Sequence, residues 1–398
     1  MAVTTNGTAA GLVDWRTVER LTALIPAGPS ASHSTRASSV AVLRRSAQEA
    51  PAWVARITGL HRAAQQVADS TRVSVVDRAG LVRASTRALR DLMGQVPAPR
   101  ASEAVRLVGA AEVAGAMSLL ATRLLGQVVP PAPTAPSGAD DGEPGAGRSG
   151  DEEGEGEASG VVGRAAPGAP HLLLVAPNVL AMRRQMDLDM LDLPAWVCLH
   201  EVTHAVQLTA APWLGPYLTD SMRTVIGDVV EAVYGGSGGA AGASTGQRAP
   251  RSRRGGAVRI AARAGRGRVL EGLTNFRDRS EVASLAAALT FLEGHAEVVL
   301  DDVRPNRMPS VHRLRAVLSR SRAVDGGIGP GPGLGALLLR RLMGLEAKEA
   351  QYADGAAFVR SVVARIGQEG LNVVWTDPAL LPTPAEIARP DVWVRRVS

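Results

Sequence analysis

Apolar positions in the first third of the chain recur at helical spacing. From Val13 to Val129, residues rich in Ala, Leu and Val are interleaved with arginines in blocks that fit one apolar helix face: Val18–Leu24, Ser38–Gly59, Ser85–Gly94 and Ser102–Gly126. In the last block Ala104, Leu107, Ala111, Val113, Leu119 and Leu120 follow near-helical spacing. Gly59 and Gly94 stand where helix ends are expected. The pattern then changes. His171–Val175 (HLLLV), between Pro170 and Pro177, is a short unbroken apolar run and reads as a strand. Pro194 opens a helix that runs through Trp196 and Val197 to about Ala211, where Pro212 stops it. A long apolar helix is expected from Ser280 to about Val303, ending near Pro305, with shorter ones over 310–321, 334–343 and 345–367. The C-terminal stretch carries Trp375 and Trp393 among prolines and is expected to wrap the core without forming a helix.

These elements imply a mostly α fold of the α+β class, with a small sheet and a helical N-terminal region packed on the rest. Residues 1–10 read as a flexible tail and 11–398 as a single domain. Two low-complexity insertions interrupt it, one acidic at 130–168 and one basic at 235–268. Both are rich in Gly and poor in aromatics, so neither can bury much apolar surface, and both read as solvated segments.

Composition narrows the function. The longest strongly apolar stretches, 172–182 and 282–292, reach about half of the roughly 20 residues a membrane helix needs, so no membrane association is expected. The lone Cys198 excludes an intrachain disulfide framework and a cysteine-based zinc finger. No basic and apolar leader precedes Trp15, so the expected compartment is cytoplasmic. A net charge of +6 and a pI near 10.4 invite a nucleic-acid reading. The charge distribution argues against it, because the basic residues are almost all arginine, eight of them lie in the low-complexity Arg248–Arg268, and eight acids lie in Asp140–Glu157. Aromatic residues, the stacking platforms for single strands, are only 3% of the chain. No nucleic-acid partner is expected.

The chemistry lies in one string, Leu199-His200-Glu201-Val202-Thr203-His204-Ala205, an H-E-x-x-H motif on an expected helix. Residues four apart share a helix face, so His200 and His204 can direct imidazole nitrogens at one zinc ion. Glu201 is rotated by about 100° around the axis and can reach a water at the metal without being a ligand. A solvated histidine pair is the bland reading of the same string; the surrounding Trp196, Val197, Leu199, Val202 and Val206 favour a buried active-site helix. A catalytic zinc needs a third protein ligand. The metzincin extension would place Gly and His where this chain has Gln207 and Ala210, so that class is excluded. Five other histidines remain (His33, His61, His171, His295 and His312), and the best acidic candidate is Glu293, in Leu292-Glu293-Gly294-His295-Ala296-Glu297. The GPGLG string at 331–335 lacks a preceding strand and a Lys-Ser/Thr, which rejects phosphate binding.

H-E-x-x-H followed by a downstream Glu-Gly helix resembles the gluzincin branch of zinc metallopeptidases. More narrowly, the chain resembles actinobacterial zincin-like metallopeptidases through 173–178, 196–204, 293–297, and Lys348 through Gln351-Tyr352 to Gly355 and Phe358. The resemblance covers most of 14–397, with the two insertions as departures. It implies a zincin-like core, a Zn2+ cofactor held by His200, His204 and Glu293, Glu201 as general base, and hydrolysis of a peptide or related amide. Glu297, one turn beyond Glu293, is then placed to accept a hydrogen bond from a zinc histidine. Tyr352 is the first candidate to stabilise the oxyanion, with His312 behind it. Two alternatives stay open: a non-catalytic zinc-binding scaffold, and an interaction protein recruiting acidic partners through Arg248–Arg268.

Overall fold

Strand β6 (His171–Val175) organises the fold. The structure, a computed structural model, describes residues 7–130, 161–162, 169–234, 280–317 and 355–398. Most of both insertions, the helix expected at 334–343 and Tyr352 lie outside the described residues. β6 runs parallel to β2 (Arg72–Val76) and antiparallel to β4 (Gly126–Val129), and β5 (Val161–Val162) adds antiparallel to β2. The strand order is β4-β6-β2-β5. Successive side chains of a strand point to opposite faces. Leu172 and Leu174 therefore enter one core, with Leu43 and Val54 of α2 (His33–Thr58) and Val197, Leu199 and Val202 of α7 (Asp192–Ala210). Leu173 and Val175 enter another, with Val18 of α1 (Trp15–Thr22), Leu81 of α4 (Arg78–Gly94) and Met117 of α5 (Glu103–Arg123). Helices on both faces explain why this strand is apolar at every position after His171.

A third core joins α8 (Leu214–Tyr234), α9 (Ser280–Asp301) and α10 (Gly355–Asn372) around Phe291, Phe358, Trp375 and Trp393. The result is the expected mostly α fold with small sheets. By length and composition α5 and α9 could each cross a membrane, but 61% of the apolar window of α9 is buried inside the protein and the helix carries Glu293.

Several local expectations change. The block read as helical through Val129 contains β2, β4 and the short β3 (Pro97–Ala98). The alternation Val73-Ser74-Val75 is a period-two signal inside a helix-rich context, and pairing with β6 decides it. Residues 7–10 are not a loose tail: β1 (Gly7–Thr8) pairs with β3, and Ala9 is fully buried. Part of the acidic insertion returns to the sheet as β5. The C-terminal stretch does form helices, α11 (Pro384–Ala388) and α12 (Pro390–Val397). Pro384 and Pro390 sit in the first turns, where a missing N–H costs nothing, and Thr383 with Glu386 closes a capping box.

α7 is the element that places the site. It packs against α2 and α3 (His61–Ser70), against β4 and β6, and against α9. Nearly all of it is buried, including His200 and Glu201. The position of α9 is set in turn by α10: an added Cβ on Gly294 would lie 2.0 Å from the Gly355 carbonyl carbon, and one on Gly355 would lie 2.0 Å from the Thr290 oxygen. The two helices thus cross backbone to backbone next to Glu293, and only residues without a side chain permit it.

Candidate metal centre

α7 and α9 bring His200, His204 and Glu293 together. The two Nε2 atoms are 3.3 Å apart. Glu293 Oε2 is 3.4 Å from His200 Nε2, and Glu293 Oε1 is 3.5 Å from His204 Nε2. Donor atoms from the three residues lie within 4.8 Å of one another. Zinc–nitrogen bonds of about 2.0–2.1 Å in a tetrahedron put ligand atoms about 3.3–3.4 Å apart. The separations match that edge and exceed the roughly 2.7–2.9 Å of a charge-assisted hydrogen bond. The donor set, two imidazoles and a carboxylate, suits zinc and leaves a fourth corner. The three residues fit a metal ion.

The charges reinforce one another. Burial disfavours a charged His204, but the Glu293 carboxylate, followed by Glu201, outweighs it and raises the imidazole to about 9. Burial would raise Glu293, yet His204 and the contacts from both imidazoles hold it well below the usual carboxylate range. Without metal, a protonated His204 faces an ionised Glu293 where a dication would sit.

Glu201 is 2% exposed, and its Oε1 is buried with no hydrogen-bond partner among the described residues. Burial, and then the Glu293 charge, push its pKa up to about 8, against the opposing pull of His204. An added cation lowers such a value. Gly126 of β4 covers this carboxylate: a Cβ there would lie 2.6 Å from Glu201 Cγ. Gly126 follows a predictable helix, but no sequence pattern marks it as a neighbour of Glu201.

His204 Nδ1 faces Gln207 Oε1 at 2.9 Å. Glu297, expected to accept from a zinc histidine, has Oε1 3.6 Å from Arg360 Nη2, on α10. The contact described on His204 Nδ1 is to Gln207, which lies one turn on along α7 and which the sequence reading used only to exclude metzincins. His295 is 1% exposed and packs against Trp375, with ring centroids 5.3 Å apart; burial lowers it to about 3 and keeps it neutral. Cys198 is buried, its Sγ donating to the Leu43 carbonyl oxygen at 3.5 Å, and burial raises its thiol, so it is a packing residue. His312 is exposed.

A mostly helical α+β fold built around a His–His–Glu donor set with a buried carboxylate beside it defines the zincin-like class. The chain belongs to the Zincin-like metallopeptidase family, which matches over residues 13–394. No curated protein matches it. A solved structure from Chloroflexus aurantiacus, described as "a putative hydrolase with a novel fold", shares the fold at a TM-score of 0.52 and 19% identity, over 96% of this chain and 98% of that one.

Proposed function

We propose that the protein is a zinc-dependent hydrolase that cleaves peptide or related amide bonds. The observation that carries this reading is the tetrahedron-edge spacing of His200, His204 and Glu293 beside a buried, unpartnered Glu201 oxygen. Zinc bound to the three residues supplies a Lewis acid that polarises the carbonyl and acidifies water. His200 and His204 would hold it through Nε2 without adding charge, and Glu293 would add one negative charge, leaving the site electrophilic. Glu201 stands next to His200 on α7 and does not enter the ligand triangle; it takes the proton from water and hands it to the leaving amine. β4 is one of the two edge strands of the sheet among the described residues, and Gly126 lies on Glu201. Its backbone offers an extended peptide a strand to add to, beside the general base. Tyr352, three residues before the Gly355 that packs on Gly294, is the proposed donor to the oxyanion.

The test combines metal analysis with a peptide-library cleavage assay. The wild-type protein should bind one zinc and cleave, with cleavage abolished by a chelator and restored by zinc. His204→Ala should lose the metal. Glu201→Gln should keep it and lose turnover by about 10²–10⁴-fold, the usual contribution of a positioned base. Undiminished cleavage by Glu201→Gln would remove the mechanism. A zinc-loaded wild-type protein inert to every peptide and amide would make it a binding scaffold.

A further inference from the structure

Gln207 has more bonds than its place on a helix flank requires, and their directions are not interchangeable. It is 1% exposed. Its Nε2 lies 3.0 Å from the Leu292 carbonyl oxygen and 3.0 Å from His295 Nδ1, and its Oε1 lies 2.9 Å from His204 Nδ1. A carbonyl oxygen only accepts, so the amide nitrogen must face Leu292. The amide oxygen must then face His204. An amide oxygen also only accepts, so His204 Nδ1 carries the hydrogen and donates it. The neutral imidazole has one hydrogen to place, which leaves the lone pair on Nε2. Nε2 is the atom that faces His200 and Glu293. The reversed amide fails twice: it would set two acceptor oxygens 3.0 Å apart at Leu292, and it would put the histidine hydrogen on Nε2, where the metal binds.

The second amide hydrogen constrains the next residue. His295 Nδ1 must accept it, so the His295 hydrogen sits on Nε2, an atom buried with no hydrogen-bond partner among the described residues. The ring stands edge-on to Trp375, at an interplanar angle of 69°. Leu292 immediately precedes Glu293, so one side chain orients a ligand on α7 and anchors the backbone that presents the ligand on α9.

We propose that Gln207 is a positioning residue for the metal centre: its amide sets the His204 tautomer that leaves Nε2 open to the metal, and fixes α7 against the residue preceding Glu293. Carboxylates and carbonyls commonly hold zinc histidines in this way. A neutral amide does so without adding negative charge, which leaves the bound ion more electrophilic than a carboxylate partner would. The proposal rests on the zinc-site reading above, and the experiment separates the two.

Gln207→Met keeps the volume and removes both the acceptor and the donors. Gln207→Glu keeps an acceptor for His204. Zinc affinity is measured by chelator competition on the full chain, alongside the His204 ring-nitrogen NMR signals with zinc and in metal-free protein at a pH where the imidazole is neutral. Circular dichroism checks that each variant is folded. The expected result for Gln207→Met is about 10–100-fold weaker zinc binding, with loss of the exchange-protected Nδ1–H signal of His204. Gln207→Glu should retain that signal. A residue with only a packing role would move neither the tautomer nor the protected proton. A folded Gln207→Met variant with wild-type zinc affinity and an intact Nδ1–H signal would overturn the proposal. If Gln207→Met does not fold, loss of the signal in Gln207→Glu overturns it. A wild-type protein that shows the Nδ1–H tautomer in the metal-free state but takes up no zinc would sink the hydrolase reading and leave Gln207's control of His204 standing.

Discussion

Glu201 is placed by what is missing from the residue above it. Gly126 leaves room for the carboxylate, and a methyl group there would meet Glu201 Cγ at 2.6 Å. Gly126→Ala should therefore displace the base without touching a ligand. Misplacement by about 1 Å at a reacting group can cost about 10²-fold in rate, so turnover should fall by that order while zinc content stays at one equivalent; equal activity would show that the carboxylate tolerates the shift. The same residues set a pH dependence. Burial raises Glu201 from 4.5 to about 8, and Glu293 raises His204 from 6.5 to about 9 against the pull of burial. Each group binds more protons folded than unfolded within its window, so each contributes stability that is lost as pH rises through the folded value. Glu293 is depressed, and its contribution is lost only as pH falls below 4.5. Metal-free protein should be most stable at mildly acidic pH, with its Tm falling between about pH 5 and pH 9. Zinc displaces the proton on His204, so the loaded protein should lack that fall, and zinc affinity should rise with pH up to about 9. Tm against pH with chelator and with zinc checks this; superimposable curves would contradict it.

At the scale of elements, the backbone crossing of α9 and α10 does for Glu293 what α7 does for the histidines. Gly294→Ala would press a Cβ to 2.0 Å from the Gly355 carbonyl carbon, and backbone cannot yield as a flexible side chain can. The helices must separate, at a cost above the typical overpacking penalty of about 1–3 kcal/mol, and Glu293 moves with them. Both Tm and zinc content should fall. Gly115 is the matched contrast: it lies exposed within α5 with nothing within 4 Å of an added Cβ. Gly115→Ala should be neutral or stabilise by up to about 1 kcal/mol, because alanine is the better helix former. α7 was readable because its burial is one-dimensional information: an apolar helix with His at i and i+4 announces itself. β2 and β4 were not, because strands this short need a partner, and the partner of both is β6, distant from each along the chain.

Across the whole molecule, two cores meet at the site. α7 sits in the core beneath the sheet, the Phe291–Trp393 cluster holds the first half of α9, and Val299 and Leu300 at its far end return to the core of α7. A metal held by His200, His204 and Glu293 would clasp α7 to α9 across that junction. Chelation should therefore lower the Tm of the entire protein. At a free zinc concentration about 1,000 times Kd the loss corresponds to about 4 kcal/mol. Scanning calorimetry with and without chelator measures it, and an unchanged Tm would mean that the metal-free site is already as well held.

The sequence alone determined the candidate donors and the main helices. H-E-x-x-H carries its own geometry, because two residues a helical turn apart share a face whatever surrounds them. Glu-Gly at 293–294 marked the third donor through family resemblance, although no local rule links it to His204 across 88 intervening positions. What only the tertiary structure decided is everything that depends on elements distant in the chain: Gly126 over Glu201, Gln207 on His204 and Leu292, Arg360 beside Glu297, and the strands that pair with β6. The physical reason is that helix periodicity and motif spacing are short-range properties of the chain. Second contacts to a ligand and strand pairing are made by packing, between residues whose neighbourhood exists only after folding.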